Sequence, residues 1–314
     1  MRTPTALAIA VFGLLAVLPP LFLLAGEPFL LVIAIRVMIF AIAAVSLDLI
    51  LGYGAMVSFG HAAFIGIGAY AVAIPASHGV TDLFAQTLIA IVASCLFALA
   101  TGAISLRTKG VYFIMITLAF GQMAFFVMVS LAAYGGDDGI TLPGRSTLFG
   151  APLIANNFAF FYVVLTCLVG LYFLSHALTR SRFGRVIRAS RENPIRVQSV
   201  GFSPFPYQLT AYAISGAMAG VAGVLLANQA EFVSPAYMSW QRSGELIAMV
   251  VVGGTGTLIG PILGAAGFIL LEEWLPALSE HWKLGFGVIL VLIVLYTRGG
   301  LYGFYRRVMG SARA

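Results

Sequence analysis

Charge is scarce in this chain. Only 9% of its 314 residues are Asp, Glu, Lys or Arg, against about 25% in a soluble domain. With 61% hydrophobic residues and a mean hydropathy of +1.03, a soluble fold of this length has nowhere to hide its apolar surface. No room is left for a sizeable soluble domain. The alternating ten-residue strands of a membrane β-barrel are missing as well. The two cysteines, Cys95 and Cys167, each sit alone in an apolar run, which gives neither a disulfide framework nor a metal site. His61, His78, His176 and His281 are scattered without ligand spacing, so no metal or cofactor is expected. A Walker A motif is absent, and the chain does not hydrolyse ATP by that route alone. The net charge of +6 is no nucleic-acid signal, because the basic residues lie in short loops and the tail, as the positive-inside rule predicts.

What the chain has instead is apolar runs of roughly 20 residues, each long enough for a bilayer core of about 30 Å. Candidate spans are 5–24, 29–51, 61–76, 83–106, 111–133, 158–178, 207–228, 246–252, 258–274 and 282–297. The eighth is too short alone and counts as a half-helix. The expectation is an all-α polytopic membrane protein, one transmembrane domain over 1–314, with about ten crossings including glycine-broken or half-helices. Arg2 followed by an apolar stretch resembles a signal peptide, and Pro19-Pro20 interrupts that stretch. Apolar residues then resume and no small-x-small cleavage site follows, so a retained first helix is expected. Arg2, Arg107, Lys109, the arginines of 180–196, Arg298, Arg306, Arg307 and Arg313 fall on one side. Glu27, Asp82, Asp137, Asp138, Glu231, Glu272, Glu273 and Glu280 fall on the other, against only Arg145, Arg242 and Lys283. Both termini are therefore expected in the cytoplasm.

The only long polar, basic segment runs from Leu178 to Phe205. Between Ser181 and Arg196 it holds Arg182, Arg185, Arg188, Arg191 and Arg196 with one acid, Glu192. Asn193-Pro194 is a strong helix start, with an N-cap Asn and Pro at the first helical position, and Gly201 is a natural stop. Upstream, Ser181 is placed to cap a helix through Gly184 to Arg191, with Phe183, Val186 and Ile187 on one side and Arg185, Arg188 and Arg191 on another. Two short amphipathic helices at the cytoplasmic surface follow. A solvated loop resting on anionic lipid is the plainer reading. Capped helices with apolar faces are more than an electrostatic tether needs, and they point to a protein-docking role.

Two places break the helical pattern, Gly52-Tyr-Gly-Ala-Met-Val-Ser-Phe-Gly-His61 and Gly253-Gly-Thr-Gly-Thr-Leu-Ile-Gly-Pro261. At an offset of 200, Gly54 matches Gly254 and Gly60 matches Gly260, a weak internal repeat. Glycine-rich backbone at membrane depth is tolerated where it is buried in protein or lines a cavity, and paired interruptions in two halves of a transporter point to the translocation path. Tight turns near the membrane surface explain the same residues, and the two readings stand side by side. The candidate pathway residues are Asp48, Gly52, Gly54, Ser58, Gly60, His61, Gly253, Gly254, Gly256 and Gly260. The pairs Gly216/Gly220, Ala219/Gly223 and Gly260/Gly264 read as close helix packing.

Chemistry is weakly signalled. Ser58, His61 and Asp48 raise an intramembrane serine hydrolase, but G-x-S-x-G spacing fails because position 56 is Met, and triads draw on distant segments. No catalytic residue is expected. Arg36 and Asp48 lie within one span, where ionisable groups are functional candidates. About 18 Å apart along a helix, they cannot pair, and Asp48 reads as a span-end residue that snorkels.

The run 47–70, containing Gly52 to His61, resembles the signature of branched-chain amino acid ABC importer permeases. The run 107–122 and Gly135-Gly-Asp-Asp-Gly139 resemble the LivM type rather than the sister LivH type. The segments 183–201, 253–264 and 298–303 fit as well. The resemblance implies a ten-helix importer-permease fold and a complex with a second, LivH-type permease, two ATPase subunits and a periplasmic or extracellular substrate-binding protein, in the bacterial inner membrane. It implies that segment 179–206 is the coupling segment, with Gly184, Arg185, Arg188, Arg191, Glu192, Asn193 and Gly201 seated in a groove of one ATPase. Two positions depart from the family pattern: Asp48 replaces a usual Asn, and Met56 a frequent Gln. Branched-chain or related amino acids are the implied substrates. Urea and short amides within the same family, or a stand-alone secondary transporter, are the competing readings.

Overall fold

The computed structural model describes residues 3–24, 26, 28–277, 280–296 and 299–303. Arg2, Glu27, Arg298, Arg306, Arg307 and Arg313, used in the charge argument, lie outside the described residues.

Twelve α-helices are described. The first, α1 (Thr3–Leu24), runs on through Pro19 and Pro20, so the two prolines do not interrupt it. Next come α2 (Pro28–Leu51), α3 (His61–Ser77), α4 (Leu83–Ser105), α5 (Val111–Ser130) and α6 (Asn157–Arg180). Two short helices follow, α7 (Arg182–Glu192) and α8 (Pro194–Ser199), before the long α9 (Pro204–Ala230). The last three are α10 (Trp240–Gly253), α11 (Gly260–Trp274) and α12 (Trp282–Tyr296). A small antiparallel ribbon pairs β1 (Ile140–Thr141) with β2 (Phe232–Val233).

Among the described residues, five helices are long and apolar enough to cross a membrane: α2, α4, α5, α6 and α9. They divide by burial. In α2 and α9, 78% of the most apolar window is buried; in α4, α5 and α6 only 17–33% is. So α2 and α9 form the centre, and the others present apolar faces outward, such as Leu88 and Leu96 on α4 and Met115, Met123 and Phe126 on α5. In water such a surface would aggregate; against lipid tails it costs nothing.

The small residues read as packing do pack. Gly220 of α9 lies against Ser94 and Ala90 of α4, and Gly223 against the Ile65 carbonyl of α3. Gly264 of α11 approaches the α10 backbone at Met249 and Gly253. Gly-for-Gly contact lets backbones approach where a side chain would hold them apart.

α2 sets the direction of the molecule. Its C-terminal end meets α7, so α7, α8 and the α4–α5 turn with Lys109 mark one end; a cavity of about 410 Å³ there is lined by Lys109, Ser190 and Arg191. Arg107, Lys109 and the α7–α8 arginines make this the basic end. The opposite end holds Asp82, Asp137, Asp138 and Glu231. There Arg145 staples the loops: it donates to the Asn228 carbonyl at 3.1 Å and to Asn157 Oδ1 at 2.6 Å, lies 3.5 Å from Glu231, and covers the Phe160 ring at 4.8 Å. Burial lowers the Arg145 pKa from its ordinary value, and the Glu231 carboxylate opposes that shift.

α10 and α11 are short. Their 14 and 15 residues reach about 21–23 Å, less than a bilayer core of about 30 Å. Sequence reading placed the first at Leu246–Val252; the helix also takes in Trp240 to Glu245, so Arg242, counted among the loop charges, lies on a helix.

Candidate functional site

The predicted caps of the basic segment are present. Ser181 Oγ accepts from Gly184 N at 3.4 Å, and Asn193 Oδ1 accepts from Arg196 N at 3.0 Å. Pro194 opens α8, and Gly201 follows its end at φ +89°. Gly184 is required by contact: a Cβ there would stand 2.5 Å from the Leu178 and Thr179 carbonyl oxygens. Ile187 is buried, with Phe183 and Val186 half-buried beside it.

The arginine face divides in two, which sequence spacing did not foresee. Arg188 Nη2 donates to the Thr179 carbonyl at 3.0 Å, and Arg191 Nη1 donates to the Gly52 carbonyl. These two tie α7 to its own protein. Arg182, Arg185, Glu192 and Arg196 instead rim an open groove of about 770 Å³, with Val186, Val197 and Phe202 in its walls.

The two glycine breaks meet each other below that helix. Gly256 N donates to Asp48 Oδ1 at 2.8 Å. Gly256 adopts φ +73°, a left-handed conformation that glycine takes without steric cost. Gly52 lies between these partners, and a Cβ there would overlap Asp48 Oδ1 and Gly256 N. The touching pair is therefore Gly52 with Gly256. The offset partners go elsewhere: Gly54 packs on Met56 and Ile187, Gly60 on the Thr117 backbone, and Gly254 near the Gly299 carbonyl. Gly253 and Gly260 face each other where α10 and α11 cross. Asp48 is fully buried and does not snorkel; the connector between α10 and α11 reaches it first. Its Oδ2 has no partner among the described residues.

His61 Nε2 pairs with Ser46 Oγ at 2.9 Å, and Asp48 is committed to Gly256. Neither serves Ser58, whose buried Oγ is placed against the Tyr212 hydroxyl rather than against an imidazole or a carboxylate. The hydrogen bonds of a serine triad are not formed. The break at 58–62 is instead held by backbone donors that sequence reasoning missed. Phe59 N donates to Thr117 Oγ1 at 3.3 Å, and Ala62 N to Ser243 Oγ at 3.0 Å. These polar partners satisfy backbone groups freed where helix stops.

Arg36, flagged within α2, pairs with Glu272 at 3.3 Å and Glu273 at 3.7 Å on the end of α11. It also faces the Phe40 ring at 6.0 Å, which Arg242 approaches at 5.9 Å. The i,i+3 spacing of Arg242 and Glu245, 2.7 Å apart, was the one sequence signal that α10 begins early.

The family model described as the permease component of branched-chain amino acid transport systems matches residues 29–295. The high-affinity branched-chain amino acid transport system permease protein LivM of Salmonella typhimurium is 30% identical over 292 residues, covering 86% of this chain and 69% of its own. A probable branched-chain amino acid transport permease protein LivH of Methanocaldococcus jannaschii is 35% identical, but over only 43% of this chain and 42% of its own. An autoinducer 2 import system permease protein, LsrC of Photorhabdus laumondii, is 29% identical over 48% of each. No solved structure matches.

Proposed function

The chain belongs to the permease family of branched-chain amino acid transport systems, and from that premise we propose that it is one half of the translocation pathway of an ATP-driven importer in the bacterial inner membrane. Its relatives are transport permeases rather than enzymes, and ATP hydrolysis belongs to partner subunits. The substrates proposed are branched-chain or related amino acids. The similarity to LivM extends along most of the chain, whereas that to LivH covers less than half. This favours the LivM type, with a LivH-type permease as its partner and a binding protein delivering substrate.

The observation that carries the coupling assignment is the groove on α7 and α8. Residues 179–206 place two capped helices at the basic end, with Arg182, Arg185, Glu192 and Arg196 turned outward around an apolar floor. A lipid-resting loop needs neither caps nor a groove. Here one ATPase docks, and Arg191 relays its motion to Gly52 and through it to the glycine breaks, which border the pathway. The separation of basic and acidic loops supports a cytoplasmic basic end, both termini inside and ten crossings, with α10 counted as a half-helix.

A mild-detergent pull-down of the tagged chain from its native cell tests this reading. Two nucleotide-binding subunits and a second permease are expected. Recovery of the chain alone, with uptake that survives ATP depletion and collapses with the proton gradient, would overturn it in favour of a secondary transporter.

A further inference from the structure

We propose that the cavity between α1, α6 and α7 at the basic end holds the headgroup of an anionic phospholipid from the surrounding bilayer, with the acyl chains left outside along α1 and α6. The site is independent of what the importer carries and needs only that the chain lies in a membrane.

The cavity measures about 290 Å³, room for roughly ten waters at about 30 Å³ each, so it takes a headgroup and not the chains. The turn 256–259 closes it on the side away from α6. Two guanidinium groups line it, Arg180 at the end of α6 and Arg188 on α7. The Arg180 guanidinium makes no hydrogen bond or ion pair among the described residues. Arg188 donates to backbone carbonyls, that of Gly184 at 3.4 Å and that of Thr179 at 3.0 Å. These bonds occupy donors and leave the charge unneutralised. No Asp or Glu lines the cavity among the described residues. Arg36, Arg145 and Arg242, by contrast, each lie within 3.5 Å of a carboxylate. Two positive charges thus share one space with no anion in it, and each guanidinium keeps donors for phosphate oxygens.

The rest of the wall selects a lipid. Phe173 lies seven residues before Arg180, about 10 Å along the same face of α6. It is 59% exposed, and Ile9 of α1 is 69% exposed, so these two form the outer edge of the cavity on the lipid-facing surface. Further in, Phe12 packs edge-on against Tyr172 at 5.1 Å, and Tyr172 stacks on His176 at 6.1 Å. Tyr53 and Tyr302 add phenol rings, a residue type that gathers where bilayer meets water. A free phosphate would meet the arginines and leave the apolar edge unused. A zwitterionic lipid would bring a further cation to two already present. The docking groove of α7 and α8 shares no residue with this cavity. Basic pockets between spanning helices suit anionic headgroups. Gly256 and Tyr53 line the same cavity, so the lipid also ties α1 to the place where the two glycine breaks meet.

The test places the complex, purified with its co-purifying subunits, in phosphatidylcholine nanodiscs with a trace of phosphatidylglycerol whose acyl chain carries a photoreactive group near the glycerol. Cross-links are mapped by peptide mass. They should concentrate on α1 and α6 around Ile9 and Phe173, and unlabelled phosphatidylglycerol should remove them. A photoreactive phosphatidylcholine should label these peptides at least fivefold less. Arg180→Gln should lower the phosphatidylglycerol label about fivefold, the worth of one basic side chain at a membrane surface. Arg107→Gln, which removes an equal charge from the same end and does not line the cavity, should leave it unchanged. Equal labelling by the two lipids, or labelling spread evenly over α4 and α5, overturns the site; both outcomes are read on unaltered protein, so a misfolded variant cannot obscure them. Removal of the label by soluble glycerol 3-phosphate would assign the cavity to a free phosphate and overturn the lipid. Equal losses in Arg107→Gln and Arg180→Gln would trace the label to the charge of the whole surface and overturn the site as well.

Discussion

The two ends of α2 are built by different means. At the basic end, Gly52, Gly256 and Asp48 are locked by backbone approach: no side chain larger than hydrogen fits at Gly52, and the one carboxylate present is fully buried. Near the acidic end, Arg36, Arg242 and three glutamates form a partly exposed charge cluster around a cavity. The first arrangement suits the proposed relay of displacement, because tightly packed backbones move together. The second tolerates exchange of partners, because ion pairs that remain about a third exposed contribute little to stability. The two arrangements sit on one helix at a separation of about 24 Å.

The comparison breaks most directly at Gly52. Gly52→Ala drives a methyl group into Asp48 Oδ1 and the Gly256 amide; we expect a loss of more than about 2 kcal/mol, read as a lower thermal midpoint of the purified complex, with uptake abolished. Wild-type uptake in this variant would remove the joint. Next in size is Asp48→Leu, which leaves the buried Gly256 N–H without an acceptor and should cost about 1–3 kcal/mol. Asp48→Asn keeps an acceptor oxygen and should fall within about 1 kcal/mol of wild type; equal damage from both would show that charge, not the hydrogen bond, matters there.

A third contrast separates the two arginine sets on α7. Arg191→Ala should leave the ATPase subunits recoverable in the pull-down while uptake falls several-fold. Arg185→Ala, which loses no described internal bond, should instead lower their recovery. Reversal of these two phenotypes would exchange the tie and the docking face. Smaller again, Arg242→Gln should cost less than about 1 kcal/mol of stability, read as a thermal midpoint close to wild type, in contrast with Gly52→Ala. Ser58→Ala, which removes only a contact with the Tyr212 hydroxyl, should leave uptake unchanged and cost no more than about 1 kcal/mol.

Much of the fold was legible because lipid imposes long uniform runs. The bounds of α2, α3 and α4 follow the apolar stretches to within a residue or two, and Ser181, Asn193 and Gly201 act as the caps and stop that their chemistry announces. Asp48 was misjudged because its partner is 208 residues away, and no local rule reports a backbone amide from a distant turn. The start of α10 was missed because Trp240 to Glu245 reads as a polar loop until Glu245 is seen against Arg242. Arg188 and Arg191 were grouped with Arg185 by spacing alone, while their carbonyl partners lie on α6 and at the end of α2.

The sequence by itself determined the all-α membrane class, the family and the two capped helices of the basic segment. Composition, run length and local capping are properties of neighbouring residues, and the chain carries them before it folds. Only the tertiary structure decided which glycines touch, which arginines remain free, and where two guanidinium groups meet over one ring. Those are matters of which segments approach each other, across as many as 208 residues at Asp48 and Gly256, and they are fixed by packing between helices rather than by the pattern within any one of them.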